Sequence, residues 1–469
     1  MNFYDDIDVY GAQPAIISED QERTSYAELL TSADVLGRHC GRKCLVFSLC
    51  ENSLESVVGY VGFLRARVVP ALVRSGIDRE QLDDLQRTYR PAYIWLPREK
   101  AEGAQWGSEV YRYRNYVLLR TGHTADYALH EDLALLLTTS GSTGSPMLVR
   151  QSYRNVTSNA NAVVESLGIT GADRPITTLP MSYTYGLSII NSHLLKGCPI
   201  VATNKTLMDK AFWTLLKSTG ATTFGGVPYV YEMLRKLRFE RMDLPSLRVL
   251  TQAGGKLDLE LSRETAAICQ RKGIRFFVMY GQVEATARIS CLPSEYAVSK
   301  AGSIGKAIPG GEMWLEDEGG NVVVESDTAG ELVYKGENVT MGYASSCEDL
   351  GKGDENGGVL KTGDLAKRDA DGFFYIVGRK KRFLKLFGNR VNLDEIERLV
   401  DRLGYSCVCS GEDDHLRIYT TDSENHAAIR AHVAERTGLH PSGFEVIHLE
   451  SIPRNEAGKI LYSALPSPH

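Results

Sequence analysis

The stretch TTSGSTGSPMLVR, residues 138–150, follows directly on the apolar run LALLL at 133–137. A buried strand that opens into small and hydroxyl residues leaves backbone N–H groups that no side chain covers. Gly141 and Gly144 permit the tight or positive-φ geometry such a loop needs, and Ser140, Ser142 and Thr143 add hydroxyl donors. Two readings fit: a cradle for phosphate, or a surface loop built from turn residues. The P-loop pattern GxxxxGK[ST] is absent, and so is the GxSxG nucleophile elbow, which weighs against a hydrolase.

On either side of this loop, short apolar runs alternate with stretches of helical spacing. CLVFSL (44–49) reads as a buried strand, with Asn52 as the expected cap of the helix SLESVVGYVGFLRA. VVPAL, PAYIWL, PITTLP, CPIVAT, ATTFGG, LRVLTQ and IRFFVMY repeat the strand signal. SYRNVTSNANAVVESL, MDKAFWTLLKS and DLELSRETAAICQRK carry helical spacing between them. Such alternation predicts an α/β fold with parallel-rich sheets covered by helices. After about residue 295 the texture changes: glycines multiply, and EMWLED, NVVVES, GELVYKG and FFYIVG read as short strands, with Asp371-Gly372 as a hairpin turn. The expected organisation is an N-terminal domain over 1–378, including a β-rich subdomain at about 296–378, and a small α+β C-terminal domain over 379–469.

The chain has 469 residues, more than one compact core usually holds, with 43% hydrophobic and 24% charged residues. A net charge of −6 gives no general basic surface, so nucleic acid is not an expected partner. The apolar runs are far shorter than the ~20 residues that span a bilayer, and MNFYDDIDVY carries acids where a signal peptide is basic. Nine scattered cysteines without a CxxC pair suit reduced thiols in a cytoplasm. Cys40, Cys44 and Cys50, near His39, read as buried thiols and not as a zinc site.

Further motifs follow in order: LPMSYTYG (179–186), TQAGGKL (251–257), YGQVEAT (280–286), GELVYKGENVTMGY (330–343), LKTGDL (360–365), GRKKRFLKLFGNRVNLDEIE (378–397) and PRNEAGKI (453–460). Together with the loop at 138–150 they resemble the adenylate-forming superfamily, which includes acyl-CoA synthetases, aryl-acid ligases, luciferases and the adenylation domains of peptide synthetases. The resemblance runs from TSYAELL (24–30) almost to the end of the sequence.

It implies an ATP- and magnesium-dependent ligase in which a carboxylate attacks the α-phosphate, releases pyrophosphate and forms an acyl-AMP. Both reactants are anions, so positioning and electrostatics carry the catalysis, and the already ionised acid needs no general base. On this resemblance Lys459 is the catalytic lysine bridging carboxylate and α-phosphate, and Glu284 is both a catalytic residue and the magnesium ligand. ATP is expected at Thr139, Ser140, Gly141, Ser142, Thr143 and Gly144, at Gly254, Gly255 and Lys256, at Tyr280 and Gly281, and at Asp364 and Arg379. Lys381 takes the hinge position, with Lys385 and Gly388 at the thiol site.

Tyr183, Thr184, Tyr185, Gly186 and Tyr229 are the expected acyl pocket. Amino-acid-activating relatives place an aspartate where Thr184 stands here, and a buried ammonium without a carboxylate is costly, so the expected substrate is a small carboxylic acid other than an α-amino acid. No carrier-type GxDSL serine follows Lys459, so the expected acceptor is CoA or the phosphopantetheine of a separate acyl carrier protein. Two positions depart from the family: Met147 replaces the usual lysine and Val283 the usual threonine, both near the phosphates. Arg150 is the candidate replacement cation. The lost donors leave a rival expectation, a degenerate member that binds acyl group or nucleotide without efficient turnover.

Overall fold

The run LALLLT forms the strand Leu133–Thr138, buried over all but its last residue. It lies within an eight-stranded sheet ordered Tyr343–Ala344, Leu148–Ser152, Leu133–Thr138, Val69–Arg74, Leu45–Cys50, Tyr93–Pro97, Tyr116–Arg120, Ser108–Tyr113. The central strands 133–138, 69–74, 45–50 and 93–97 pair parallel, while those at both flanks pair antiparallel. Burial on both faces explains why the central strands read as unbroken apolar runs. The computed structural model describes residues 2–103, 105–123, 126–138, 147–380, 382–386, 389–412, 414–437, 439–454 and 460–466.

The described chain divides into two compact units, Met1–Glu312 with Tyr334–Leu360, and Met313–Val333 with Lys361–His469. The boundary expected after residue 378 falls inside the second unit. The first unit holds the eight-stranded sheet and a second one of five strands, Thr223–Gly226, Val249–Gln252, Arg275–Tyr280, Ser290–Leu292 and Lys306–Ala307. Its first three strands are parallel and its last two antiparallel. Helices Tyr26–Arg38 and Leu54–Arg65 meet closely: a Cβ on Gly62 would lie 2.5 Å from the Ala33 carbonyl oxygen, so glycine is required there. Helix Tyr153–Leu167 starts at a capping box in which Ser152 and Asn155 satisfy each other's backbone N–H.

Three local expectations fail for physical reasons. PITTLP forms only isolated bridges at Pro175 and Ile176, because its two prolines remove ladder donors. NVVVES is not a strand: Val322 makes one bridge to Glu316, and Val322 and Val324 face solvent. Asn52 does not cap a helix. Ser53 does, accepting from Ser56 N, while the Asn52 amide donates to Leu179 O and Thr203 O.

In the second unit a four-stranded sheet is ordered Glu312–Glu316, Ala329–Lys335, Val359–Arg368, Phe374–Arg379, with the end residues of three strands belonging to the first unit. Strands 359–368 and 374–379 form the hairpin whose turn contains Asp371-Gly372, with Gly372 at φ +83°. The tail follows with the hairpin Phe383–Leu386/Asn389–Asn392, helix Leu393–Asp401, helix His426–Thr437 and a three-stranded sheet of Cys407–Glu412, His415–Thr420 and Phe444–His448. Leu386, Ile396, Val400, Ile418, Ile429 and Val433 form its core.

All nine cysteines are free thiols; Cys40, Cys44 and Cys50 are buried, and no metal-holding cluster occurs among the described residues. No described helix is long and apolar enough to cross a membrane.

Candidate active site

In the first unit the candidate residues gather on three neighbouring segments. Helix Thr184–Leu195 begins with three of the four contiguous pocket candidates, its N-cap being Tyr183. Tyr185 is buried, and its hydroxyl lies 2.7 Å from Thr251 O and 2.8 Å from Thr251 Oγ1, on the strand Val249–Gln252. That strand runs into Gly254, whose φ of +81° suits glycine; any Cβ there would also come within 2.5 Å of the Tyr183 hydroxyl. The backbone at 254 is therefore packed closely against the Tyr183 ring. Gly255 and Lys256 are exposed. Gly186 is required by contact, since a Cβ would lie 2.3 Å from Pro180 O. Thr184 donates its hydroxyl to Thr286 O and carries no charge. Tyr229, on helix Pro228–Lys236, is 42% exposed, so it stands apart in burial from Tyr183 and Tyr185.

The strand Arg275–Tyr280 supplies the third segment. Tyr280 is half-buried and accepts from Gln282 Nε2 at 3.0 Å. A Cβ on Gly281 would collide with Ala287 O at 1.7 Å, which fixes the sharp return of the chain. Glu284, half-buried, accepts the Tyr343 hydroxyl on Oε1 at 2.6 Å, and its carbonyl accepts from Thr340 N at 2.9 Å. Burial, with the Glu284 charge second, pushes the Tyr343 phenol far above its ordinary range, so it stays a hydrogen-bond donor. Glu284 forms no ion pair among the described residues. A carboxylate without a protein cation, held by one hydroxyl, fits a magnesium ligand.

Val283 packs against the apolar core of the first unit, which accounts for a valine in place of a hydroxyl residue. Met147 is 38% exposed. Arg150 is not a replacement for the missing lysine. It is fully buried: Nε donates to Tyr343 O, Nη1 to Lys352 O and Gly353 O, and Nη2 to Met341 O and Glu355 Oε2. Its guanidinium is held inside the protein and has no freedom to reach phosphate.

In the second unit Asp364 and Arg379 sit opposite one another in the 359–368/374–379 hairpin. Arg379 Nε lies 3.1 Å from Asp364 Oδ1; the carboxylate side chain is 5% exposed and the arginine 63%. Lys380 pairs with Glu331 at 2.7 Å. Lys385 lies in the strand Phe383–Leu386, opposite Arg390. Arg382, which the motif reading passed over, is the hub of the tail, bonded to Asp394, Glu397, Tyr462 and Cys409 O. Arg454 bridges Ile460, bracketing the motif that contains Lys459. Lys459, Lys381, Gly388 and the loop residues Thr139, Ser140, Gly141, Ser142, Thr143 and Gly144 lie outside the described residues.

Two further residues escaped motif reading. Arg288, four positions after Glu284, is buried with its guanidinium carbon 3.7 Å from the centre of the Tyr185 ring. His193, on the pocket helix, is buried, and burial lowers its pKa to about 4. The signal for Arg288 was a cation inside an otherwise small and apolar run, EATARIS.

The model of the AMP-binding enzyme family matches residues 3–344. The 2-succinylbenzoate–CoA ligase of Geobacillus kaustophilus strain HTA426 is 29% identical over 479 residues, covering 95% of this chain and 93% of that protein. The ligase of the same name from Bacillus cereus strain ATCC 10987 / NRS 248 is 31% identical over 375 residues, covering 78% and 74%. In fold, the chain is similar to the O-succinylbenzoate coenzyme A synthetase of Bacillus subtilis in complex with AMP, with a TM-score of 0.78, 23% identity and coverage of 100% and 98%. The same synthetase solved with ATP and magnesium ion gives 0.75, 23%, 99% and 99%. The chain therefore belongs to the AMP-binding enzyme family, and is an adenylate-forming, ATP-dependent acid–thiol ligase.

Proposed function

We propose that the enzyme joins a carboxylic acid other than an α-amino acid to the thiol of CoA through an acyl-AMP, and that 2-succinylbenzoate, the acid named for its relatives, is the leading substrate. The observation that carries the acid class is the charge of the pocket wall. Thr184 stands where an ammonium would need a carboxylate, and the buried cation Arg288 lies over Tyr185. An α-ammonium placed there would meet a like charge in a poorly solvated site. A carboxylate-bearing acid meets the opposite.

The roles follow from chemistry. Glu284, oriented by Tyr343, would hold the magnesium ion, which neutralises phosphate charge when bound. The nucleotide would lie along Gly254 and Tyr280, on a backbone course set by the close packing of Gly254 on Tyr183 and of Gly281 on Ala287. Asp364 would accept the ribose hydroxyls while Arg379 steadies its charge. Lys459 would place one ammonium between acid and α-phosphate, lowering the repulsion between two anions. Lys381 would be the pivot between adenylation and thiol transfer, with Lys385 and Gly388 near the entering thiol.

Product analysis by mass spectrometry tests the reading. Purified enzyme with ATP, magnesium, CoA and 2-succinylbenzoate should yield AMP, pyrophosphate and the acyl-CoA. Absence of AMP across a broad panel of acids would remove the catalytic reading. Acyl transfer to a phosphopantetheinyl carrier but not to CoA would move the acceptor.

A further inference from the structure

We propose that Arg288 is the specificity residue of the acyl site and that it receives a second, distal carboxylate of the substrate, so that the enzyme selects dicarboxylic acids. This rests on the acyl-ligase reading above.

Arg288 is 2% exposed, and among the described residues its guanidinium forms no ion pair. Its Nε is fully buried and has no hydrogen-bond partner. An unpaired buried cation is expensive to keep, and a fold retains one where a ligand supplies the missing charge. Two side-chain amides hold its backbone in place: Asn159 Nδ2 and Asn338 Nδ2 both donate to Arg288 O, at 3.0 and 2.9 Å. Its side chain stacks on Tyr185, next to Tyr183 in the pocket wall. Burial raises both phenols, Tyr183 to about 12, with the Arg288 charge acting against it in each case.

Arg288 also lines a small internal cavity of about 20 Å3, walled by Ile189, Ser192, His193, Gly225 and Thr251. The last two touch the Tyr185 hydroxyl, directly for Thr251 and by the 2.8 Å a Cβ on Gly225 would leave. Val163, Leu167, Ile169 and Val249 complete a largely apolar wall, and the space, about that of one or two waters, is too small for an aliphatic tail. His193 donates from Nδ1 to Ile189 O, which leaves Nε2 as a second buried nitrogen without a partner. Asp173 reaches the same cavity but is engaged by Arg248 at 3.5 Å and by Thr170 N at 2.8 Å. Arg275 lines the cavity as well, and among the described residues no carboxylate is paired with Arg288.

The test uses matched acids that differ in the distal carboxylate: 2-succinylbenzoate against 4-oxo-4-phenylbutanoate, and glutarate against pentanoate. Acid-dependent pyrophosphate exchange should favour the diacid by about tenfold or more in kcat/KM, mainly through KM. R288M should bring that ratio close to one, and R288K should restore part of it. A wild-type preference for the monoacids, or an R288M enzyme that keeps the diacid preference, overturns the assignment. If R288M does not fold, the wild-type ratio decides. Exchange with none of the acids would count against the ligase reading instead, and calorimetric binding of each matched pair would still decide the role of Arg288.

Discussion

Arg150 and Arg288 are both buried cations of the first unit, one just after the glycine–hydroxyl loop and the other just after Glu284. Their surroundings differ in acceptors. Arg150 meets four carbonyl oxygens and the Glu355 carboxylate. Arg288 meets an aromatic face and a cavity, with a bare Nε. Burial alone does not separate a structural cation from a ligand-binding one; the count of acceptors does. The first clamps the segment 341–355 to the central sheet, and the second is left for something that arrives from outside.

The comparison breaks most easily at Arg150. Arg150→Ala should cost about 3–5 kcal/mol, because several buried carbonyls lose their donor together. Chemical denaturation measures this; a loss below about 1 kcal/mol would show that Arg150 is not a structural clamp. Lys459 extends the contrast to a cation whose expected role lies in the reaction. Lys459→Ala should slow adenylate formation by ~100–1,000-fold and largely spare thiol transfer from preformed acyl-AMP, followed by half-reaction kinetics. Equal losses in both steps would remove its role between acid and phosphate.

His193 sharpens the picture of the cavity beside Arg288. Its folded pKa, lowered by burial, is about 4, below the ordinary value of 6.5. Between these two values the unfolded chain binds a proton that the native chain refuses, so stability rises with pH through that window. Acidification from about 6.5 to about 4 should remove ~3 kcal/mol, and His193→Gln should abolish that component of the acid sensitivity. A variant with the wild-type pH slope would show that His193 is protonated in the fold. The smallest effect is expected at Arg288 itself, where R288M should leave the denaturation midpoint unchanged or raise it. A drop as large as that of Arg150→Ala would place Arg288 among the structural cations.

Much of the candidate site was legible because its signals are local. A glycine required beside a wall, as at Gly281, or a carboxylate within YGQVEAT, is written in neighbouring residues. Asp364 and Arg379 were both legible, though not as a pair, because the hairpin register that faces them follows from the turn at Asp371-Gly372 only once the strands are aligned. Asn52 shows the limit: its composition suits a cap, but its amide bonds Leu179 and Thr203, more than a hundred residues away. Tyr229, an expected pocket residue, is 42% exposed on the helix Pro228–Lys236, a burial that no local signal foretells.

What the sequence determined by itself was the α/β layering, through runs buried on both faces alternating with helical spacing, and the family chemistry, through ordered motifs whose residue types suit phosphate, magnesium and ribose. What the tertiary structure decided was the assignment of the cations. The acceptors of Arg150 come from positions 191 to 205 residues away, and the cavity beside Arg288 is walled by residues of several segments distant in sequence. Periodicity and turn chemistry act over a few residues, whereas whether a buried charge finds its partner is settled by distant parts of the chain meeting in space.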